Sequence, residues 1–85
     1  MFEFDPRKSE ANEKKHGIDF HEAQNLWKVP SITIESKHTT EPRFLLIAQW
    51  HGKYWTAIFT TRREVIRIIS VRHSRNNEKE LLLSD

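Results

Sequence analysis

Apolar and polar positions divide the chain into segments of two periods. Phe2 and Phe4 flank Glu3, an alternation that predicts a short entry strand over 2–4. Asp5 before Pro6 predicts a helix start: Asp5 suits the N-cap, and Pro6 suits the first turn, where its missing N–H costs nothing. This helix runs to about Lys15. Gly17 suits the left-handed residue that ends it, and Lys14, Lys15 and His16 suit the negative end of its dipole. Ala11 is its only aliphatic residue, so it is expected to lie on the surface or to serve a partner. Ile18, Phe20, Ala23, Leu26 and Trp27 then recur at helical spacing, and Asp19 and Glu22 are spaced as a capping box. A second helix is expected there, closed by Pro30.

Beyond Pro30 the period drops to two. Ile32 and Ile34 alternate with polar residues from Ser31 to Lys37, the pattern of a half-exposed strand. Residues 38–42 read as a loop, 44–50 as a strand, 51–53 as its turn, 54–61 as a strand, 62–64 as a tight turn and 65–71 as the last strand. Residues 76–83 read as a short helix carrying Leu81, Leu82 and Leu83. The order β-α-α-β-β-β-β-α, with short turns, implies a small antiparallel sheet with its helices on one face, an α+β domain.

The last strand changes the picture. Residues 65–71 are mostly β-branched, as in a buried strand, yet Arg62, Arg67 and Arg72 punctuate the region at five-residue intervals. Residues 62–75 hold five arginines against one acid, Glu64, a local charge of +4 in a chain of net +2. Unpaired buried arginine is costly, so such a strand offers its charges to something anionic. Regular alternation places Arg67 on one face with Val65 and Ile69, and Arg62 and Arg72 on the other.

Composition narrows the class. At 85 residues the chain is one small domain. It has no cysteine for disulfides or thiolate metal sites, no apolar run near the roughly 20 residues that span a bilayer, and no signal-peptide core. It therefore reads as soluble and cytoplasmic. With only Gly17 and Gly52 there is no glycine-rich phosphate loop, and the scattered histidines lack metal-ligand spacing. No cofactor and no metal are expected.

Several motifs, in order and at set spacing, carry a resemblance. They are Phe4-Asp5 with Lys8, Asn12 and Lys15-His16-Gly17-Ile18, then Phe20 and Ala23; Glu41, Arg43 and Phe44; and Gly52, Phe59-Thr60, Arg62, the run Arg67 to Arg72, and Glu78. Together they resemble the BrnT family of bacterial toxins from end to end. The resemblance implies a RelE-like α+β fold and a ribonuclease that inhibits translation. It also implies a type II toxin–antitoxin system, with a BrnA-like antitoxin that neutralises the toxin in a dimer-based, operon-repressing complex. Two features depart from the family pattern: His73 stands where many members have arginine, and Leu81 to Leu83 stand where many have an aromatic residue.

RNA cleavage without a metal needs a base for the 2′-hydroxyl proton, an acid for the leaving oxygen, and cations for the phosphorane's charge. Guanidinium groups grip phosphate oxygens with paired donors. Arg62, Arg67 and Arg72 are the expected cations, His16 and His73 the favoured proton-transfer pair, and Glu41 the carboxylate alternative. Lys15, Arg43, His73 and Arg75 are the accompanying candidates for holding RNA. Against this stands a plainer set of roles: arginines paired with Glu35, Glu41, Glu64 or Glu78, His16 serving the helix end, and the tryptophans serving the core. A non-catalytic module that binds RNA or antitoxin is the competing reading. It predicts a basic surface with no proton-transfer group beside it.

Overall fold

The structure is a computed structural model that describes residues 1–36 and 40–84. Lys37, His38 and Thr39, expected at a strand end and in the following loop, lie outside the described residues. Five strands form one sheet: β1 (Phe2–Glu3), β2 (Ser31–Ser36), β3 (Arg43–Trp50), β4 (Lys53–Arg62) and β5 (Val65–His73). Helix α1 (Pro6–His16) and a 3-10 helix (Glu22–Lys28) lie between β1 and β2, and α2 (Asn76–Leu83) follows β5.

The strands fall where period-two alternation puts them, and the spatial order is β1-β5-β4-β3-β2. β2 to β5 form the expected antiparallel meander, but the sheet is mixed, because β1 pairs in parallel with β5. That pairing joins residues more than sixty positions apart, which local patterning does not report. It inserts Phe2 and Phe4 into the core, edge-on to Trp27 and Phe20 at 5.1 and 5.7 Å between ring centroids.

The expected second α-helix is a 3-10 helix. The Asp19 carboxylate accepts from the Glu22 N–H at 2.7 Å and opens the segment, which stays tightly wound to Lys28. Ile18, Phe20, Ala23 and Leu26 nonetheless all enter the core, against Leu46, Ala48, Trp55, Ala57, Phe59, Ile68 and Val71.

Helix α1 starts and stops where the sequence signals place it. Asp5 accepts from the Arg7 N–H at 2.9 Å, and Gly17 closes the helix at φ +85°. It is not a loose surface element, however. Two buried polar side chains attach it. Ser9 Oγ accepts from the Phe20 N–H at 2.8 Å. Asn12 Nδ2 donates to the Ile18 carbonyl at 2.8 Å, while its Oδ1 accepts from the Val71 N–H at 3.1 Å. The last bond satisfies a donor on β5 where β1 has ended, so α1 completes the sheet edge.

The helices occupy both faces, not one. α1 and the 3-10 helix cover the face that carries Leu46, Ala48, Trp55, Ala57, Phe59, Ile68 and Val71. α2 sits on the other, where its buried Glu78 meets Thr56 and Arg72. Its short sequence has no apolar stripe to declare a face, so a buried carboxylate sets its position.

Candidate functional site

One extra residue in β5 decides where the arginines point. Ile58 pairs with Ser70 and Phe59 with Ile68, which leaves Ile69 as a β-bulge. Each bulge residue shifts the side-chain alternation by one. Arg67, opposite Thr60, and Arg72, opposite Thr56, therefore face the same side of the sheet, the side of α2. Arg62 shares that side from β4. Regular alternation had separated Arg67 from the other two. The bulge brings all three arginines to one face.

They do not meet in one place. Thr60 and Thr56 stand four residues apart on β4, which puts Arg67 and Arg72 about 13 Å apart along the sheet. Arg62 and Arg67 line a cleft of about 500 Å³ with Lys8, Arg43, Thr60, Glu3 and Glu41. Its four cations and two carboxylates leave it net positive. Arg67 Nη1 reaches Glu3 Oε2 at 2.7 Å, with both side chains about half exposed. That exposure makes the pair weak and leaves the guanidinium able to exchange partners. Arg43 and Arg62 have no ion-pair partner among the described residues, and Arg43 Nε is buried without a hydrogen bond. Thr60 Oγ1 donates to the Pro42 carbonyl at 2.8 Å, tying the segment that carries Glu41 and Arg43 to β4. The adjoining Arg63-Glu64 turn holds both residues at positive φ, 52° and 70°, a conformation that L side chains adopt at a cost.

Arg72 has a different role. Its Nη1 and Nη2 donate to Glu78 Oε1 and Oε2 at 2.7 and 2.8 Å, a two-pronged ion pair. Glu78 is 4% exposed and also accepts from Thr56 Oγ1 at 2.9 Å and from the Arg75 N–H at 2.8 Å. Ser74 Oγ lies 2.8 Å from Thr56 Oγ1. Burial alone would raise the Glu78 pKa, but the bonds from Arg72, Arg75 and Thr56 outweigh it and hold the carboxyl at about 2. The Arg72 guanidinium is held in its charged form by the same bond to Glu78, against its own burial. With both prongs engaged, Arg72 fastens α2 to the sheet.

The remaining expected residues gather at the far end of the molecule. His16 sits at the end of α1, and His73 stacks on Trp55 with ring centroids 4.3 Å apart. Burial lowers the His16 pKa first, and the charges of Lys15, His73 and Arg72 lower it further. Arg75 is exposed at the start of α2. Beside this group a smaller recess of about 230 Å³ lies between Gly17, Glu22, Trp50, His51, Lys53 and Trp55. Of the nine expected site residues, the structure brings Arg62, Arg67, Glu41 and Arg43 together, and it separates them from Arg72, His16, Lys15, His73 and Arg75.

A family model described as the ribonuclease toxin BrnT of type II toxin-antitoxin systems matches residues 4–78. The chain belongs to the BrnT ribonuclease toxin family. The match spans both groups of basic residues and reaches Glu78. No curated protein matches the chain. Membership gives this BrnT family chain a ribonuclease function, an RNA substrate and an antitoxin partner in general terms. No described helix is long and apolar enough to cross a membrane.

Sequence reasoning missed two cleft residues, Glu3 and Lys8, as site members. Glu3 had a signal: it lies between two phenylalanines that both turn into the core, so its carboxylate must emerge on the opposite face. Lys8 had its place in the opening motif of the family resemblance and in the first turns of α1.

Proposed function

We propose that this BrnT family member is a metal-independent endoribonuclease of RelE-like architecture. It cleaves mRNA in the cytoplasm, inhibits translation, and is neutralised by a BrnA-like antitoxin in a dimer-based complex. The observation that carries the placement of the site is that Arg43 and Arg62, neither ion-paired among the described residues, face one cleft with Glu41. In this reading Arg43, Arg62 and Arg67 hold the scissile phosphate and neutralise charge as the phosphorane forms. Glu41 takes the proton from the 2′-hydroxyl, whose oxygen attacks phosphorus. The bond to the 5′ oxygen breaks, that oxygen takes a proton from water, and a 2′,3′-cyclic phosphate remains. Lys8 holds a neighbouring phosphate. Arg72 acts at a distance by fixing α2, and His16 and His73 do not reach the reacting atoms.

The test is cleavage of an end-labelled single-stranded RNA by purified protein in excess chelator. Wild type cuts, and Arg62→Ala, Arg43→Ala and Glu41→Gln each lose on the order of 100-fold or more in rate while remaining folded. Cutting at the wild-type rate by the arginine variants removes the cleft from the reading. RNA binding by wild type without any cleavage puts the non-catalytic module in its place.

A further inference from the structure

The face of the sheet that carries α2 is ordered in three parallel rows. In the first, Ile32, Ile47 and Thr56 are cross-strand neighbours; Ile47 and Thr56 are fully buried, and Thr56 bonds to α2 through Glu78. The third is the basic row: Arg43, Thr60, Arg67 and, beyond them, Arg62. Between them runs a row of Ile34, Leu45 and Ile58, each the cross-strand partner of the next. Ile34 is 36% exposed and the other two are only partly buried. Among the described residues β2 is the outermost strand of the sheet, and its outer backbone edge has no strand beside it. On the same side of the sheet, α2 exposes Leu81 and Leu83 at 44% and 68%.

We propose that the Ile34-Leu45-Ile58 row is the seat of the antitoxin. The occupant is a protein segment with apolar side chains over this row and carboxylates reaching Arg43 and Arg62. RNA gains little there, because isoleucine and leucine offer neither a flat ring for a base nor a donor for a phosphate. Apolar protein side chains gain from every such contact. The basic row beside it supplies the charge complementarity. It lacks acidic partners for Arg43 and Arg62 among the described residues, and it holds a buried, unpartnered Arg43 Nε. Because those two arginines also line the RNA cleft, antitoxin and RNA exclude one another. Neutralisation is then direct occlusion, with affinity drawn from the apolar row and competition from the carboxylates. This inference rests on the cleft assignment for its competition and on family membership for its partner.

The experiment measures binding of the purified chain to its cognate antitoxin by calorimetry, with no cleavage step in the readout. Ile34→Asp places a charge on an already exposed edge position, and circular dichroism checks its fold. It is expected to weaken the complex at least tenfold, and Ile34→Asp with Ile58→Ser at least a hundredfold. Lys28→Asp, in the 3-10 helix on the opposite face, is expected to leave binding unchanged. Arg62→Glu weakens the complex further, and a short single-stranded RNA competes with antitoxin for wild type. Wild-type affinity in the folded Ile34→Asp protein overturns the seat. A toxin-only dimer in sedimentation that Ile34→Asp dissolves assigns the row to a second copy and overturns it too. Absence of RNA competition overturns the occlusion while leaving the cleavage assay to judge the cleft separately.

Discussion

Replacing Glu78 with glutamine keeps the shape of the side chain and removes its charge, leaving the half-buried Arg72 without its anion. The magnitude follows from the carboxyl's titration. Its ordinary value of 4.5 falls to about 2 in the fold. At 1.36 kcal/mol per unit, the folded state favours the ionised form by about 3 kcal/mol. Glu78 is 4% exposed, so solvent screening removes little of this. The pKa is depressed on folding, so the contribution is complete above pH 4.5 and disappears as pH falls through 4.5 toward 2. Glu78→Gln is therefore expected to lose about 3 kcal/mol at pH 7. For a chain of this size that lowers the thermal midpoint by roughly 12–24 °C. The assay is urea unfolding followed by far-ultraviolet circular dichroism at pH 7, 5, 4, 3 and 2.5. Wild type should lose most of its advantage over the variant across the acid series, keeping about a quarter of it at pH 2.5. A constant gap from pH 7 to pH 2.5 would refute the reasoning, since the lost stability would then owe nothing to the charge.

Two further outcomes follow from other contacts. Asn12→Ala leaves the Val71 N–H and the Ile18 carbonyl without their partners, and at about 1–3 kcal/mol for a buried unsatisfied group it should cost at least 2 kcal/mol in urea unfolding; a loss below about 0.5 kcal/mol would mean that α1 is held by something else. Glu3→Gln releases Arg67 and raises the charge of the cleft by one, so RNA binding at low salt should tighten several-fold and return toward wild type at high salt; salt-independent tightening would contradict the electrostatic origin.

Much of the fold was legible because its signals are local. The alternation of Ile32 with Ile34, the Asp5-Pro6 start and the Gly17 stop each act within a few residues, and the structure keeps them. What escaped depends on partners far along the chain or on a choice that the residues leave open. Within 65–71 any β-branched residue could be the extra one, so nothing marked Ile69 as the bulge, and the face of Arg67 was misread with it. The docking of α1 escaped because Ser9 and Asn12 look like surface residues until Phe20, Ile18 and Val71 meet them. The residue types of the cleft were readable from charge, while the grouping of Arg43 and Glu41 with Arg62, and the diversion of Arg72 to Glu78, required the sheet register and a helix on its second face.

The carboxylate that receives Arg72 also sets an order of events. Thr56, Arg72 and the arginine face precede Glu78 in the chain, so the ribosome makes them before it. Until that residue emerges, Arg72 lacks the carboxylate that pairs with it, and Thr56 lacks its partner on α2. The sheet can pair its strands early, but it cannot seal that face. A protein whose family attacks RNA thus closes its second face only once Glu78 has followed Thr56 and Arg72 out of the machinery that made it.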